Sequence, residues 1–300
     1  MSRASPHSGE KKIAEPLIGA HMSIAGGVHK ALERGAQIGC RTIQLFTKNN
    51  NQWYAPLLSE DEIKRFQELA ALTGISPIVA HSAYLINLAA RDTSTLHRSR
   101  NALKDELLRC EALGISHLVL HPGAHGGAGE NEGIKRIVES LNVVHEETKN
   151  LRVFTTLETT AGQGTSIGHR LEHFRLIIDE MEEPQRIAIC IDTAHLFAAG
   201  YEINTSPGFI QMLNEFDRLL GIERLAVIHV NDSKRPLGSR IDRHEHIGKG
   251  LLGLDAFRFI MNDRRFGAIP KILETPKGVD MKEDIENLSV LRSLVRSETR

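Results

Sequence analysis

Residues 117–160, HLVLHPGAHGGAGENEGIKRIVESLNVVHEETKNLRVFTTLETT, read as one strand–helix–strand unit. HLVLHP (117–122) and RVFTTLET (152–159) are β-rich runs, and between them a glycine-rich loop opens a helix over 131–149 with apolar residues at helical spacing. The strands are continuously apolar and do not alternate, as expected when both faces of a parallel sheet are covered. Each also ends on a metal-ligating residue type, His121 and Glu158.

The same unit repeats outward in both directions. Upstream, LIGAHMS (17–23) precedes a helix from about Val28 to Ile38, and RTIQLFT (41–47) precedes a helix over 59–74. That second helix is opened by Ser59 with Glu62 three residues on and closed by Gly74. PIVAHS (77–82) leads to a long helix from about Ser94 to Leu113, stopped by Gly114. Downstream, RIAICIDTAH (186–195), LAVIHVND (225–232) and PKILETP (270–276) are further strands. Helices are expected over 170–181, 208–220, 254–262 and 281–297. Eight strand–helix units without a break in composition predict a single-domain (β/α)8 TIM barrel over residues 17–298, preceded by a flexible tail, 1–16. The structural alternative is a doubly wound open sheet, but no GxGxxG follows the first strand.

Composition narrows the chemistry. At 300 residues, 41% hydrophobic and 25% charged, the chain is an ordinary globular protein. Cys40, Cys110 and Cys190 form no CxxC pair, which excludes a disulfide scaffold and a cysteine-cage zinc finger. No apolar run reaches the roughly 18 residues of a membrane span, and the polar start lacks an apolar signal segment, so a cytoplasmic protein is expected. A net charge of -1 argues against coating nucleic acid by bulk attraction. The 15 histidines, with so few cysteines, point instead to a His/carboxylate metal site.

A barrel carries its chemistry where the C-terminal strand ends converge. Those ends are His21, Asn49 just past strand two, His81, His121, Glu158, Asp192 with His195, His229 and Glu274. A single histidine there is most simply a hydrogen-bonded residue, but that account would have to be repeated at seven of eight ends. Asp192 and His195, three apart, are either an N-cap and its neighbour or two ligands on one side of a strand-to-helix turn. Asp242 and His244, two apart in the long loop after strand seven, would point the same way if extended.

Five histidines and four carboxylates exceed what one or two open sites require. Three metal ions with a bridging carboxylate fit the count, zinc first and manganese or iron as alternatives. Such a cluster suits hydrolysis at phosphorus. Loop 234–249 (KRPLGSRIDRHEHIGK) sets Lys234, Arg235, Arg240, Arg243 and Lys249 against Asp242 and Glu245, a local phosphate-facing surface.

H81-S-A-Y-L-I-N87, I189-C-I-D-T-A-H195 and I228-H-V-N-D-S-K234 continuing to G238-S-R-I-D-R-H244 closely resemble the endonuclease IV family of apurinic/apyrimidinic endonucleases. GAHMSIAGG (19–27), FTKNNNQW (46–53), LHPG (120–123) and ETTAGQG (158–164) agree. The resemblance implies a TIM barrel with three zinc ions. It implies His81, His121 and Glu158 on the first, with Glu158 bridging to a second that also takes Asp192, His229 and Glu274. His195, Asp242 and His244 would hold the third.

The implied substrate is double-stranded DNA, cut 5′ to an abasic site to leave a 3′-hydroxyl and a 5′-deoxyribose phosphate, with trimming of blocked 3′ ends by a monomeric enzyme. Tyr84 and Leu85 match positions that enter the base stack when the abasic nucleotide is flipped out. Asn49, Asn51, Arg240 and Arg243 are the other expected DNA contacts. Asn51 stands where relatives carry an intercalating arginine, and Ala194, Thr159 and Ala83 replace a cysteine, an asparagine and a serine; none is an expected ligand. The rivals are a metal-dependent sugar isomerase or epimerase, which would leave Asp242 and His244 without a task, and a catalytically silent binder of damaged DNA.

Overall fold

Runs of buried apolar residues form the eight barrel strands. They are β1 (Ile18–Met22), β2 (Thr42–Phe46), β3 (Ile78–His81), β4 (His117–Leu120), β5 (Phe154–Glu158), β6 (Ile187–Asp192), β7 (Leu225–His229) and β8 (Lys271–Leu273). The computed structural model describes residues 16–296. All eight strands pair in parallel with sequential neighbours, and β8 closes on β1 through Ile18↔Lys271, Gly19↔Ile272 and Ala20↔Leu273. The expected TIM barrel is therefore what the sequence forms. The flexible tail expected over 1–16 falls almost wholly outside the described residues.

Helices wrap the outside: α1 (His29–Gln37), α2 (Glu60–Thr73), α3 (Thr93–Leu113), α4 (Glu130–Glu147), α5 (Leu171–Glu180), α6 (Thr193–Ala199), α7 (Ser206–Leu220), α8 (Leu254–Asn262) and α9 (Lys282–Ser293). The Ser59/Glu62 capping box opens α2, and Gly74, at φ 67°, closes it. Asp92 caps α3 by accepting from the Thr95 N–H at 2.6 Å, and Gly114 ends it at φ 74°. Two cores result. One lies between strands and helices, and a small one of Val79, Val119, Cys190, Val227 and Ile272 fills the barrel interior.

Two local readings are corrected. Strand six does not run to His195. It stops at Asp192, whose carboxylate accepts the His195 N–H at 2.8 Å and so starts the seven-residue helix α6. The end of the eighth strand is likewise earlier, at Leu273. Beyond the barrel, two-residue ribbons pair Gly123–Ala124 with Ser166–Ile167 and Asp232–Ser233 with His244–Glu245.

The three cysteines are free and buried, and burial pushes the Cys40 and Cys190 thiols up to about 12. Among the described residues no helix is long and apolar enough to cross a membrane.

Candidate metal centre

Parallel register lines the strand ends up so that His81 lies beside Phe46, Cys190 beside Glu158 and His229 beside Asp192. The nine candidate ligands consequently meet at one mouth. Glu158 is at its centre, fully buried, with His229 Nδ1 2.9 Å from one carboxylate oxygen and His81 Nε2 and His121 Nε2 at 3.1 and 3.2 Å from the other. Glu274 reaches His229 Nδ1 at 3.2 Å. Asp242 lies 3.2 Å from His195 Nε2 and 3.4 Å from His244 Nε2.

Among the nine candidates, three sets have ligand atoms within 4.8 Å of one another: His81, His121 and Glu158; Glu158, Asp192, His229 and Glu274; and Asp192, His195 and His244. Cys190 makes a similar approach to Glu158 and His229. In the third set Asp192 joins the two histidines, and Asp242 approaches both from the solvent side. Asp192 thus adjoins the second and third sets.

The hydrogen bonds behind the imidazoles decide what the mouth can hold. His81 Nδ1 donates to the Ser82 carbonyl at 2.9 Å, and His195 Nδ1 to the Thr159 carbonyl at 2.8 Å. His244 Nδ1 faces the Glu274 carbonyl at 3.3 Å. A neutral ring with its proton on Nδ1 turns a bare lone pair outward from Nε2, and all three lone pairs point at carboxylates. Such facing acceptors need a cation between them. His195 Nε2 and His244 Nε2 are buried with no hydrogen-bond partner. The donor set therefore fits divalent metal ions.

Burial lowers the pKa of the His81, His195 and His229 rings, but Glu158 at His81, Asp192 and Asp242 at His195, and Cys190 followed by Glu274 and Glu158 at His229 raise all three above the ordinary value. The mouth thus draws in positive charge, which a proton on the ring or a metal ion in its place can supply. Burial would likewise raise Glu158, but the imidazoles, led by His229 and His121, hold it well below the usual carboxylate range. The site is built for concentrated negative charge.

Three residues that the sequence did not single out as site residues support the ligands. Gln44, inside β2, accepts from His229 Nε2 at 2.8 Å and donates to Glu274 at 2.6 Å. Asn231 donates to Asp192 at 2.6 Å and accepts the Glu274 N–H at 2.7 Å. Thr159 Oγ1 accepts the Asp192 N–H at 2.9 Å. Gln44 is fully buried, an amide inside a barrel strand, which the structure shows and the sequence alone does not.

An open cavity of about 480 Å³ lies over the mouth, and Tyr84, Lys234, Arg243 and Pro276 line it with the ligands. Tyr84 is 66% exposed and stands edge-on to Phe46 at 5.4 Å, while Leu85 is half-buried behind it. Arg240 and Arg243 are exposed, Arg240 with a positive φ of 54°. Asn49 spends its side-chain oxygen on the Asn51 N–H at 2.9 Å, shaping its own loop, and Asn51 is exposed.

A further trio, Glu130, His169 and His173, gathers away from this mouth. There Arg170 donates to His173 Nε2 at 3.1 Å and pairs with Glu130 at 2.8 Å, so an Arg–Glu ion pair already occupies the trio.

Over 282 residues the chain is 52% identical to the "Probable endonuclease 4" of Geobacter sulfurreducens, covering 94% of this chain and 95% of that one. This chain belongs to the endonuclease IV family. A second endonuclease 4 relative, from Geotalea daltonii, is 50% identical over 93% of this chain and 98% of its own. The family model for xylose isomerase-like TIM barrels matches residues 32–294. The crystal structure of endonuclease IV from Thermus thermophilus superposes with a TM-score of 0.81 at 33% identity, over 93% of this chain and 98% of that one. A D-tagatose 3-epimerase-like protein, at 16% identity and a TM-score of 0.70, covers 92% of this endonuclease IV-family chain and 96% of its own. At that identity the likeness shows a common barrel and nothing of the chemistry.

Proposed function

We propose that this enzyme hydrolyses the phosphodiester 5′ to abasic sites in double-stranded DNA, leaving a 3′-hydroxyl and a 5′-deoxyribose phosphate, and trims blocked 3′ ends with three zinc ions. Family membership makes it a DNA-repair hydrolase with DNA as substrate. The observation that carries the zinc reading is the set of imidazole lone pairs turned on carboxylates at His81, His195 and His244. Imidazole and carboxylate without thiolate suit zinc first, with manganese possible at some sites.

His81, His121 and Glu158 would hold the first ion, with Glu158 bridging to a second held by Asp192, His229 and Glu274, and His195, Asp242 and His244 would hold the third. When bound, the ions supply Lewis-acid neutralisation of phosphate charge and activation of water near neutral pH. The chain does the rest. The carbonyls of Ser82 and Thr159 and the amide of Gln44 fix the ring tautomers. Lys234 and Arg243 beside the cavity meet backbone phosphates, with Arg240 farther along the same loop. Tyr84 and Leu85 fill the space vacated by the flipped nucleotide, where an abasic site costs less to unstack than an intact pair.

Asn49 and Asn51 reach the strand from the second loop, Asn51 without an arginine's charge. One chain supplies all nine candidate ligands, as a monomer would need, and the proposed place of work is the cytoplasm, on the nucleoid in a bacterium. An isomerase would have no use for the third set or for the cationic loop.

The test quantifies bound metal and strand cleavage on the same sample, with a duplex carrying one abasic analogue beside an intact duplex. About three zinc ions per chain and incision only 5′ to the lesion are expected. Two or fewer ions and no cleavage, after zinc is restored, would move the reading to sugar chemistry. Three ions without cleavage would indicate a silent damage binder.

A further inference from the structure

One fully buried carboxylate near the mouth is not among the nine ligands. Asp232 lies three residues beyond His229, where the chain leaves the barrel. Among the described residues no side-chain cation pairs with it. Its charge is met instead by five backbone N–H groups. One oxygen takes Ser233 at 2.8 Å, Leu252 at 3.0 Å and Gly253 at 3.4 Å. The other takes Gly248 at 2.9 Å and Gly250 at 3.1 Å.

The donors other than Ser233 come from the far end of the loop that begins at Lys234. Asp232 therefore ties the loop's exit to its entrance. The approach is close enough to demand glycine: a Cβ on Gly250 would fall 2.4 Å from the Asp232 oxygen and 2.6 Å from the Ser233 carbonyl. Gly248 and Gly253 both adopt φ 76°, where other side chains are strained.

The loop so tied carries Asp242 and His244. His81, Glu158, Asp192 and His229 stand on the ends of strands and are fixed by the barrel itself. Asp242 and His244 are not, and their side chains are 40% and 16% exposed. The outer leg of the loop rests on α6, the helix that bears His195, through Gly238 N–H to the Phe197 carbonyl (3.0 Å) and Arg240 N–H to the Ala198 carbonyl (2.9 Å). The returning leg is held by the short ribbon and the Asp232 tie.

We infer that Asp232, with Gly248, Gly250 and Gly253, is the positioning device that sets Asp242 and His244 against His195, so that its loss loosens the ion of the third set and spares the other two. The inference rests on the three-ion reading above.

Asp232→Asn keeps the shape but turns one oxygen into an amide that cannot accept, leaving at least two of the N–H groups facing a donor. Gly250→Ala keeps every donor and acceptor and displaces the loop by bulk alone. Zinc stoichiometry and release to a chelator are measured for wild type and both variants, beside hydrogen exchange of the amides from Arg240 to Glu245.

Wild type should hold three ions. Each variant should hold two with wild-type release and the third about 10–100-fold more weakly, with faster exchange confined to the loop. Three ions at wild-type affinity in both variants would overturn the inference while leaving the three-ion reading intact. So would proportional loss of all three ions together with the fold in both variants, which would make Asp232 a general structural element. A wild-type chain holding only two ions would instead overturn the three-ion reading, and this inference with it.

Discussion

Four imidazoles surround the Glu158 carboxylate within 3.4 Å, those of His81, His121, His195 and His229. None comes from a neighbouring residue. Glu158→Gln preserves the shape and removes the charge that this arrangement exists to place. Bound metal should fall and turnover should drop by more than about 100-fold, and a variant with full activity in a metal-content and cleavage assay would refute the bridging role. Gln44→Leu is expected to leave His229 Nε2 and one Glu274 oxygen without partners, weakening metal binding about 10–100-fold in a chelator competition. The candidate ligands were legible in the sequence because the strand-borne ones close apolar runs at end after end of the barrel, a recurrence that ordinary hydrogen-bonded residues do not produce. Gln44 was not. Its partners are 185 and 230 residues away, and no local pattern announces a bond of that span.

Elements whose ends are marked by side-chain chemistry were read almost to the residue. Ser59 and Glu62 reciprocally cap α2, and both partners are visible in the sequence. Ser59→Ala should cost about 1 kcal/mol in a denaturant titration and leave cleavage unchanged. The start of α6 was legible as an N-cap at Asp192, but its extent was not, because its seven residues, TAHLFAA, continue the apolar run of β6 and are too short to show a period. Its start is marked only by Asp192, a residue that also ends the strand and faces the ligands. Loop 234–249 was legible by length and charge, but not its anchorage, which depends on backbone groups. For this loop, Arg240→Ala should weaken DNA binding and reduce the slope of log affinity against log salt by about 1, and an unchanged slope would remove Arg240 from the phosphate contacts.

Across the whole molecule, away from the mouth, burial leaves several of the described histidines reluctant to take a proton, His117, His145 and His173 most of all. His117 and His173 are pushed down to about 4 and His145 to about 3, in each case chiefly by desolvation. All three are neutral in the fold. Between the ordinary value of 6.5 and those depressed values, the unfolded chain binds protons that the folded one does not. The stability that these three contribute should therefore be fully present above pH about 6.5 and be lost as pH falls through that window. Denaturant midpoints at pH 7 and 5 should differ in that direction, and His145→Gln should make the dependence shallower. A steeper or unchanged dependence would count against it.

The ligands at the barrel mouth run from His81 on β3 to Glu274 just past β8, the strand whose pairing with β1 closes the ring. During synthesis no emerging segment carries a finished coordination set of the second kind until Glu274 has been made. The first set is complete at Glu158 and the third at His244, but the second, like the ring itself, waits for the last strand. A growing chain is protected by its own topology from arming a DNA-cutting centre before it has finished folding.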